Sequence, residues 1–252
     1  MILLRILLSN DDGIDADGIK MLATALGHSH EIITAAPMRQ QSGMAHALSV
    51  NVRIKVAERA DFPAASAYAI DGTPTDCVKL YLEAIADVMP DVVISGINHG
   101  ANLGTDVLYS GTVGAAMEGY LHGISSIAVS LPSDSEITMD EAACAFADML
   151  PRLINDAMPK KPFFYNVNFP DSFNGHRPQI VFTRVGNRDY KNAFQRHVEP
   201  DGSVWYIMKG EIYDEGNTSA TDVYASGQGL VSVTPLMTDL TDIAALDFML
   251  AR

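Results

Sequence analysis

The stretch ILLRILLSNDDGID, residues 2–15, constrains the fold more than any other. Its apolar residues run almost continuously, with no alternation between apolar and polar. A strand with one wet face would alternate, so a continuous run predicts a strand covered on both sides, the condition of a parallel sheet flanked by helices. The run ends in two adjacent carboxylates, Asp11 and Asp12, followed by Gly13. Like charges side by side repel, so solvent, a basic side chain or a cation has to compensate them.

The next 120 residues repeat the strand–helix alternation. Residues 16–27 place Ile19, Leu22, Ala23 and Leu26 at helical spacing and end on Gly27. HEIITAAP (30–37) reads as the second strand, and residues 47–58 alternate with period two, predicting a half-exposed strand paired with SAYAI (66–70). Thr73, Pro74 and Asp76 form a helix start with a capping box, and Thr138 with Glu141 forms another. PDVVISG (90–96) and ISSIAVSLP are buried strands, and between them a glycine-rich loop leads into a helix beginning near Thr112. This order predicts a doubly wound, mostly parallel Rossmann-like α/β sheet over residues 1–160. Beyond 160, PFFYNVNFP, RPQIVFTRV, GSVWYIMKG and GLVSVTPL read as strands with few helices between them, and LTDIAALDFMLAR as a short terminal helix. Residues 161–252 are therefore expected to be a β-rich extension of one single domain, 1–252.

Composition removes several function classes. The formal net charge is −14, which argues against a footprint for duplex nucleic acid and leaves an anionic substrate to be captured by local devices. Two distant cysteines, Cys77 and Cys144, make neither a disulfide framework nor a zinc site and are expected as buried free thiols. The short apolar N-terminal run carries Arg5 and lacks a cleavage pattern, and no apolar run reaches the roughly 20 residues of a membrane span. A cytoplasmic protein with no membrane partner is expected.

In an open α/β sheet, ligands bind beyond the carboxyl ends of the strands. Three polar, glycine-bearing segments should meet there: SNDDG, QQSG and SGINHGANLG. They bring Asp11, Asp12, Ser42 and Asn98, an all-oxygen donor set that suits Mg²⁺ or Mn²⁺ better than zinc. A second device is YSGTVGAAMEG, residues 109–119. Ser110, Gly111 and Thr112 at a helix start offer hydroxyls, free amides and the dipole end to a phosphate, or serve ordinary capping.

Taken together, ILLSNDDGIDADGI, QQSG, DGTPTDCV, SGINHGANLGTDVLYSGTVGAAMEG, NVNFP and GLVSVTPLMTDLT resemble the SurE-type stationary-phase survival proteins over nearly the whole chain. The resemblance implies a metal-dependent phosphatase acting on nucleoside 5′- and 3′-monophosphates, with short polyphosphate as a further substrate class. It places one divalent cation per subunit on Asp11, Asp12, Ser42 and Asn98, and the phosphate on Ser110, Gly111 and Thr112. It also implies a homodimer or homotetramer built through C-terminal arms. Asp17 stands where that family often has proline, and the approach to Thr221 and Asp222 is longer. In the mechanism expected here, Asp11, Asp12 and Asn98 are catalytic, Asn98 also meets the phosphate, and Asn10 and His99 support the ligands from behind. Tyr190 and Phe194 offer either a surface for a base to stack on or packing within an arm.

Other chemistries fit less well. The residue two places after Asp11 is Gly13, unlike the second aspartate of an aspartyl-phosphate enzyme of the haloacid dehalogenase type. There is no G-x-S-x-G elbow, and the first βα turn lacks G-x-G-x-x-G. The alternative from another class is a non-catalytic nucleotide or phosphate sensor that keeps the same pocket.

Overall fold

Ile6, Leu7 and Leu8 are completely buried in β1 (Arg5–Ser9), and their alternation sends them to opposite sides of one sheet. Ile6 and Leu8 join a core with α1 (Asp17–Gly27) and α4 (Met139–Asn155). Leu7 packs with Cys77 and Val78 of α2 (Pro74–Leu80) and Ala115 of α3 (Gly111–Leu121). Helices on both faces of a continuously apolar strand make the doubly wound arrangement. The computed structural model describes residues 3–155, 161–176 and 178–251. The N-terminal edge of the first expected strand, the expected boundary at 160, Arg177 and Arg252 lie outside the described residues.

The remaining strands are β2 (Glu31–Pro37), β3 (Val56–Glu58), β4 (Ser66–Ile70), β5 (Val92–His99), β6 (Ser125–Leu131), β7 (Phe164–Asn168), β8 (Ile180–Phe182), β9 (Asp189–Lys191), β10 (Phe194–Val198), β11 (Val204–Met208), β12 (Glu211–Tyr213) and β13 (Val231–Pro235). Eight of them join β1 in one nine-stranded sheet, in the order β3-β4-β2-β1-β5-β6-β7-β13-β8. From β4 to β7 every pairing is parallel, whereas β3 and β13 run antiparallel to their neighbours β4 and β7. The C-terminal extension thus continues the same sheet through β7, β13 and β8, and adds two two-stranded ribbons, β10-β11 and β12-β9. It also holds two helices, α5 (Asp222–Gly227) and the terminal α6 (Ile243–Leu250). The first of these is absent from the sequence reading.

Both capping boxes form. The Thr73 hydroxyl accepts from the Asp76 amide at 3.0 Å while the Asp76 carboxylate accepts from the Thr73 amide at 2.8 Å, and Thr138 and Glu141 do the same at 3.2 and 2.8 Å. The strand expected over 47–58 is confined to β3. Upstream of it the backbone bonds elsewhere: the Ala47 carbonyl accepts from the Thr73 hydroxyl at 2.7 Å, the Ser49 amide donates to Asp76 at 2.9 Å, and Asn51 has φ 60°. The expected burial of both thiols holds for Cys77 but not for Cys144, which is exposed on α4.

Helix α1 lies flush on the end of β5. A Cβ on Gly18 would sit 2.0 Å from the Ile97 carbonyl oxygen, so only glycine permits this approach. Gly18→Ala is expected to destabilise the fold by about 2–3 kcal/mol. Thr138→Ala, which removes one cap far from β5, is expected to cost about 1 kcal/mol. Urea unfolding midpoints of the two variants measure both.

Candidate active site

At the end of β1 the Asn10 side chain donates to the Gly13 carbonyl at 2.8 Å, and Gly13 takes a left-handed φ of 97°. This tight turn holds Asp11 and Asp12 at the sheet edge. Three other segments close on them. The Gln41 amide donates to the Asp11 carbonyl at 2.7 Å, and the Gln40 side chain reaches the Ser42 hydroxyl at 3.0 Å and Asp12 at 3.4 Å. The His99 amide donates to the Asp12 carboxylate at 3.0 Å. From α3, the Thr112 hydroxyl donates to the Asp11 carboxylate at 2.5 Å.

Strand β5 delivers Asn98 through a bulge. Its pairing with β6 passes from Ser95↔Ala128 to Asn98↔Ser130, one residue more on β5 than on β6. The extra residue resets the alternation, so that Ile97 joins the same core as Ile94 and Asn98 follows it to the opposite side. Gly96 makes the bulge fit, since a Cβ there would lie 2.3 Å from the Val129 carbonyl. The Asn98 amide nitrogen donates to the Gly100 carbonyl at 2.7 Å, which leaves its amide oxygen as the available donor atom toward a cation.

Asp11, Ser42, Asn98, His99 and Ser110 line one cavity of about 880 Å³. Thr112 is fully buried and bears on Asp11, while Gly111 packs so tightly that a Cβ would lie 2.9 Å from that of Asp11. The Ser110 hydroxyl accepts from the Val113 amide at 3.1 Å as the N-cap of α3, which begins at Gly111. Asn10 is fully buried and its amide oxygen has no hydrogen-bond partner. His99 is exposed.

A further wall of the cavity comes from Asp106 and from the loop 186–200, which is expected from sequence to carry base contacts, with only Tyr190 and Phe194 named there. Arg188 makes a bidentate pair with Asp214, at 3.0 and 2.8 Å, and lies 3.8 Å from Asp106. The Tyr190 hydroxyl donates to Asp106 at 2.7 Å. Burial pushes the Asp106 carboxyl upward, against the pull of that hydrogen bond and of Arg188. Fully buried Asp222 ties the wall to the site, accepting from the amides of Gly104 at 3.0 Å and Gly186 at 2.7 Å. Its contact with Gly104 spans 118 residues, and nothing local in the sequence announces it. Phe194 is exposed and stands outside the cavity lining.

Charge decides whether these residues fit a cation. Burial raises the Asp11 pKa from 3.8 to about 6, with Thr112 hydrogen bonding pulling it down and the neighbouring charge of Asp12 pushing it further up. Among the described ion pairs neither Asp11 nor Asp12 has a basic partner. Among the described residues no three His, Cys, Asp or Glu side chains are grouped so as to hold a metal ion, and the donors beside the two carboxylates are neutral oxygens. Two under-compensated carboxylates, one amide oxygen and one hydroxyl fit a hard divalent cation.

Fold and site together define an α/β protein with a polar, oxygen-lined cavity beyond its parallel strand ends. The family model "Survival protein SurE" matches residues 6–192. Among relatives, the 5′-nucleotidase SurE of Thermosynechococcus vestitus is 44% identical over 94% of this chain and 92% of its own. That of Pelotomaculum thermopropionicum is 44% identical over 97% and 93%. The crystal structure of the SurE protein from Aquifex aeolicus superposes with a TM-score of 0.81 at 37% identity, covering 97% of this chain and 98% of that one. The chain belongs to the SurE family.

Because the Asp11 pKa lies above its ordinary 3.8, this group favours the metal-free fold only while protonated. Its contribution is intact below about pH 4 and is lost as pH rises through about 6. In EDTA-treated protein, Asp11→Asn is therefore expected to be more stable than wild type above about pH 7, by on the order of 2 kcal/mol, with the difference vanishing near about pH 4. Denaturant titrations across that range read it out.

Proposed function

We propose that this chain is a divalent-cation-dependent phosphomonoesterase that hydrolyses nucleoside 5′- and 3′-monophosphates to nucleoside and phosphate, with short polyphosphate as a further substrate. The observation that carries the reading is the convergence of Asp11, Ser42, Asn98 and Ser110 on one cavity, with Asp12 held to the same point by the His99 amide and Gln40. Relatives named 5′-nucleotidase over nearly the whole chain support it and disfavour a non-catalytic sensor.

Asp11, Asp12, Ser42 and Asn98 would hold one cation per subunit, Mg²⁺ or Mn²⁺. The chemistry supplied when it is bound is Lewis acidity toward a phosphoryl oxygen and toward water. The remaining work falls to the chain. Thr112 orients the Asp11 carboxylate, as outer partners of ligating carboxylates do. Asn98 and the Ser110–Gly111–Thr112 helix start hold the phosphoryl oxygens, where backbone amides and the helix dipole favour negative charge. Asn10 fixes the turn that bears the carboxylates, and His99 anchors Asp12 through its amide. Asp106, Arg188 and Tyr190, which line the same cavity, receive the nucleoside, Asp106 accepting from a ribose hydroxyl.

No helix among the described residues is long and apolar enough to cross a membrane. The two unpaired thiols support a cytoplasmic location. Exposed Phe194, Trp205 and Tyr206 on the β10-β11 ribbon, and α6, which buries none of its residues, support a homodimer or homotetramer in which 161–252 supplies the arms of a domain whose core is 1–160.

Phosphate release from AMP, GMP and an aryl phosphate, with and without Mn²⁺, tests the reading. Turnover of the nucleotides that needs Mn²⁺ is expected, and binding without turnover would restore the sensor. Thr112→Val should lose roughly 10–100-fold in kcat/KM. Tyr190→Phe should raise KM for AMP while leaving turnover of the aryl phosphate unchanged, as measured by steady-state kinetics.

A further inference from the structure

The segment between β2 and β3 carries Ser42 without regular secondary structure, and between Met38 and Ile54, which pack against the cores at its two ends, its large apolar residues do not anchor it. Met44, Leu48, Val50 and Val52 are between 42% and 73% exposed. Polar and backbone contacts hold it instead. The Ala45 amide donates to the Tyr109 carbonyl at 3.0 Å. The Ala45 carbonyl lies so close to α3 that a Cβ on Gly114 would sit 2.2 Å from its oxygen. Ala45 itself has φ 51°, a left-handed conformation that costs a non-glycine residue energy and persists where the surroundings over-determine it. One residue on, His46 Nε2 lies 2.7 Å from Glu118 Oε2.

Glu118 is an unusual anchor. Its side chain is 4% exposed and sits on α3, the helix whose first turn bears Thr112. Its other oxygen is 3.1 Å from Lys79 Nζ and 3.5 Å from His122 Nδ1, and Glu83 lies behind, paired with both Lys79 and His122. Burial pushes the Glu118 carboxyl up, but the hydrogen bonds from His46 and Lys79 prevail and hold it below the usual range. An ionised, buried carboxylate on the helix that orients Asp11 thus grips the loop that carries Ser42.

We propose that His46 and Glu118 are a positioning pair for the cation site: their contact fixes the Ser42 loop across α3, so that the Ser42 hydroxyl and the Thr112-bound Asp11 carboxylate are set by the same helix. The inference rests on the assignment of Ser42 as a cation ligand. The network beyond Glu118 is polar and partly exposed, so loss of His46 frees a loop without emptying the core.

Binding of Mn²⁺ alone to the full chain, followed by electron paramagnetic resonance of the free ion, tests this with five variants. Ser42→Ala and His46→Ala should each weaken Mn²⁺ binding by roughly tenfold, within the range for outer partners of metal ligands. His46→Gln, whose amide can still donate to Glu118, should restore most of the affinity. Gly114→Ala, whose Cβ would push on the Ala45 carbonyl and the His46 backbone while leaving both side chains of the pair in place, should weaken binding as His46→Ala does. With AMP at saturating Mn²⁺, His46→Ala should keep its KM while requiring more Mn²⁺ for half-maximal turnover. Wild-type affinity in His46→Ala beside weakened binding in Ser42→Ala would overturn the positioning role and leave the cation site standing. Wild-type affinity in Ser42→Ala would overturn the ligand assignment, and the inference with it. Should His46→Ala fail to fold, wild-type affinity in both Glu118→Gln and Gly114→Ala would overturn the proposal equally.

Discussion

A carboxylate buried at the end of a fully covered strand is the constraint from which the rest of this site follows. Asp11 is 4% exposed, and its charge is disfavoured by burial and by Asp12 beside it. Burying an ionised group without compensation is among the costliest things a fold can do. The Thr112 hydroxyl and the first turn of α3 offset part of the penalty. What they leave over is a standing affinity for positive charge at one point, and the sheet fixes that point. With Ile6, Leu7 and Leu8 locked into both cores, β1 cannot slide or tilt to carry the pair into solvent.

Holding four separate segments around that point requires close backbone contact, and glycines mark where it occurs. Gly18 lets α1 seat on the Ile97 carbonyl, Gly96 lets the β5 bulge pass Val129, and Gly111 lets α3 press on Asp11. Each removes a side chain where two elements would otherwise be held apart: Gly96 lies two residues before Asn98, Gly111 packs on Asp11, and Gly18 seats α1 on Ile97, the neighbour of Asn98. The donor atoms are then held by the packing of rigid elements, which is the form of preorganisation that makes a polar site effective.

What could be read from sequence was what local chemistry decides. The covered strand before Asp11, both capping boxes and the helix start at Ser110–Gly111 depend on neighbours within a few residues, and all are present. Residues 47–55 look like a strand because their side chains alternate, yet the hydrogen-bonding groups of Ala47 and Ser49 are taken by Thr73 and Asp76. Side-chain periodicity reports which face is wet, not where the backbone bonds go. The cavity wall was illegible for a different reason. Asp106 meets Tyr190 across 84 residues and Gly104 meets Asp222 across 118, and those contacts exist only because β13 and β8 extend the sheet. Cys144 sits in an apolar pattern but on the outer face of α4, one residue and about 100° of rotation beyond buried Ala143.

Under the proposed function, the same geometry makes a cation a requirement of the site and not merely a tolerated guest. The chain carries a formal charge of −14, so a nucleotide approaches against the protein's overall field. Arg188 is the one Arg or Lys among the described residues lining the cavity, and its guanidinium is already shared between Asp214 and Asp106. It shapes the wall but has little positive charge to offer a phosphate. The start of α3 supplies a partial charge at most, and Asp11 already draws on it through Thr112. A dianionic phosphate facing Asp11 and Asp12 would be repelled unless something of charge +2 lay between them. On this reading the two carboxylates exclude the substrate in the absence of metal and recruit it in the metal's presence, so that phosphate affinity and metal affinity are one property of the site.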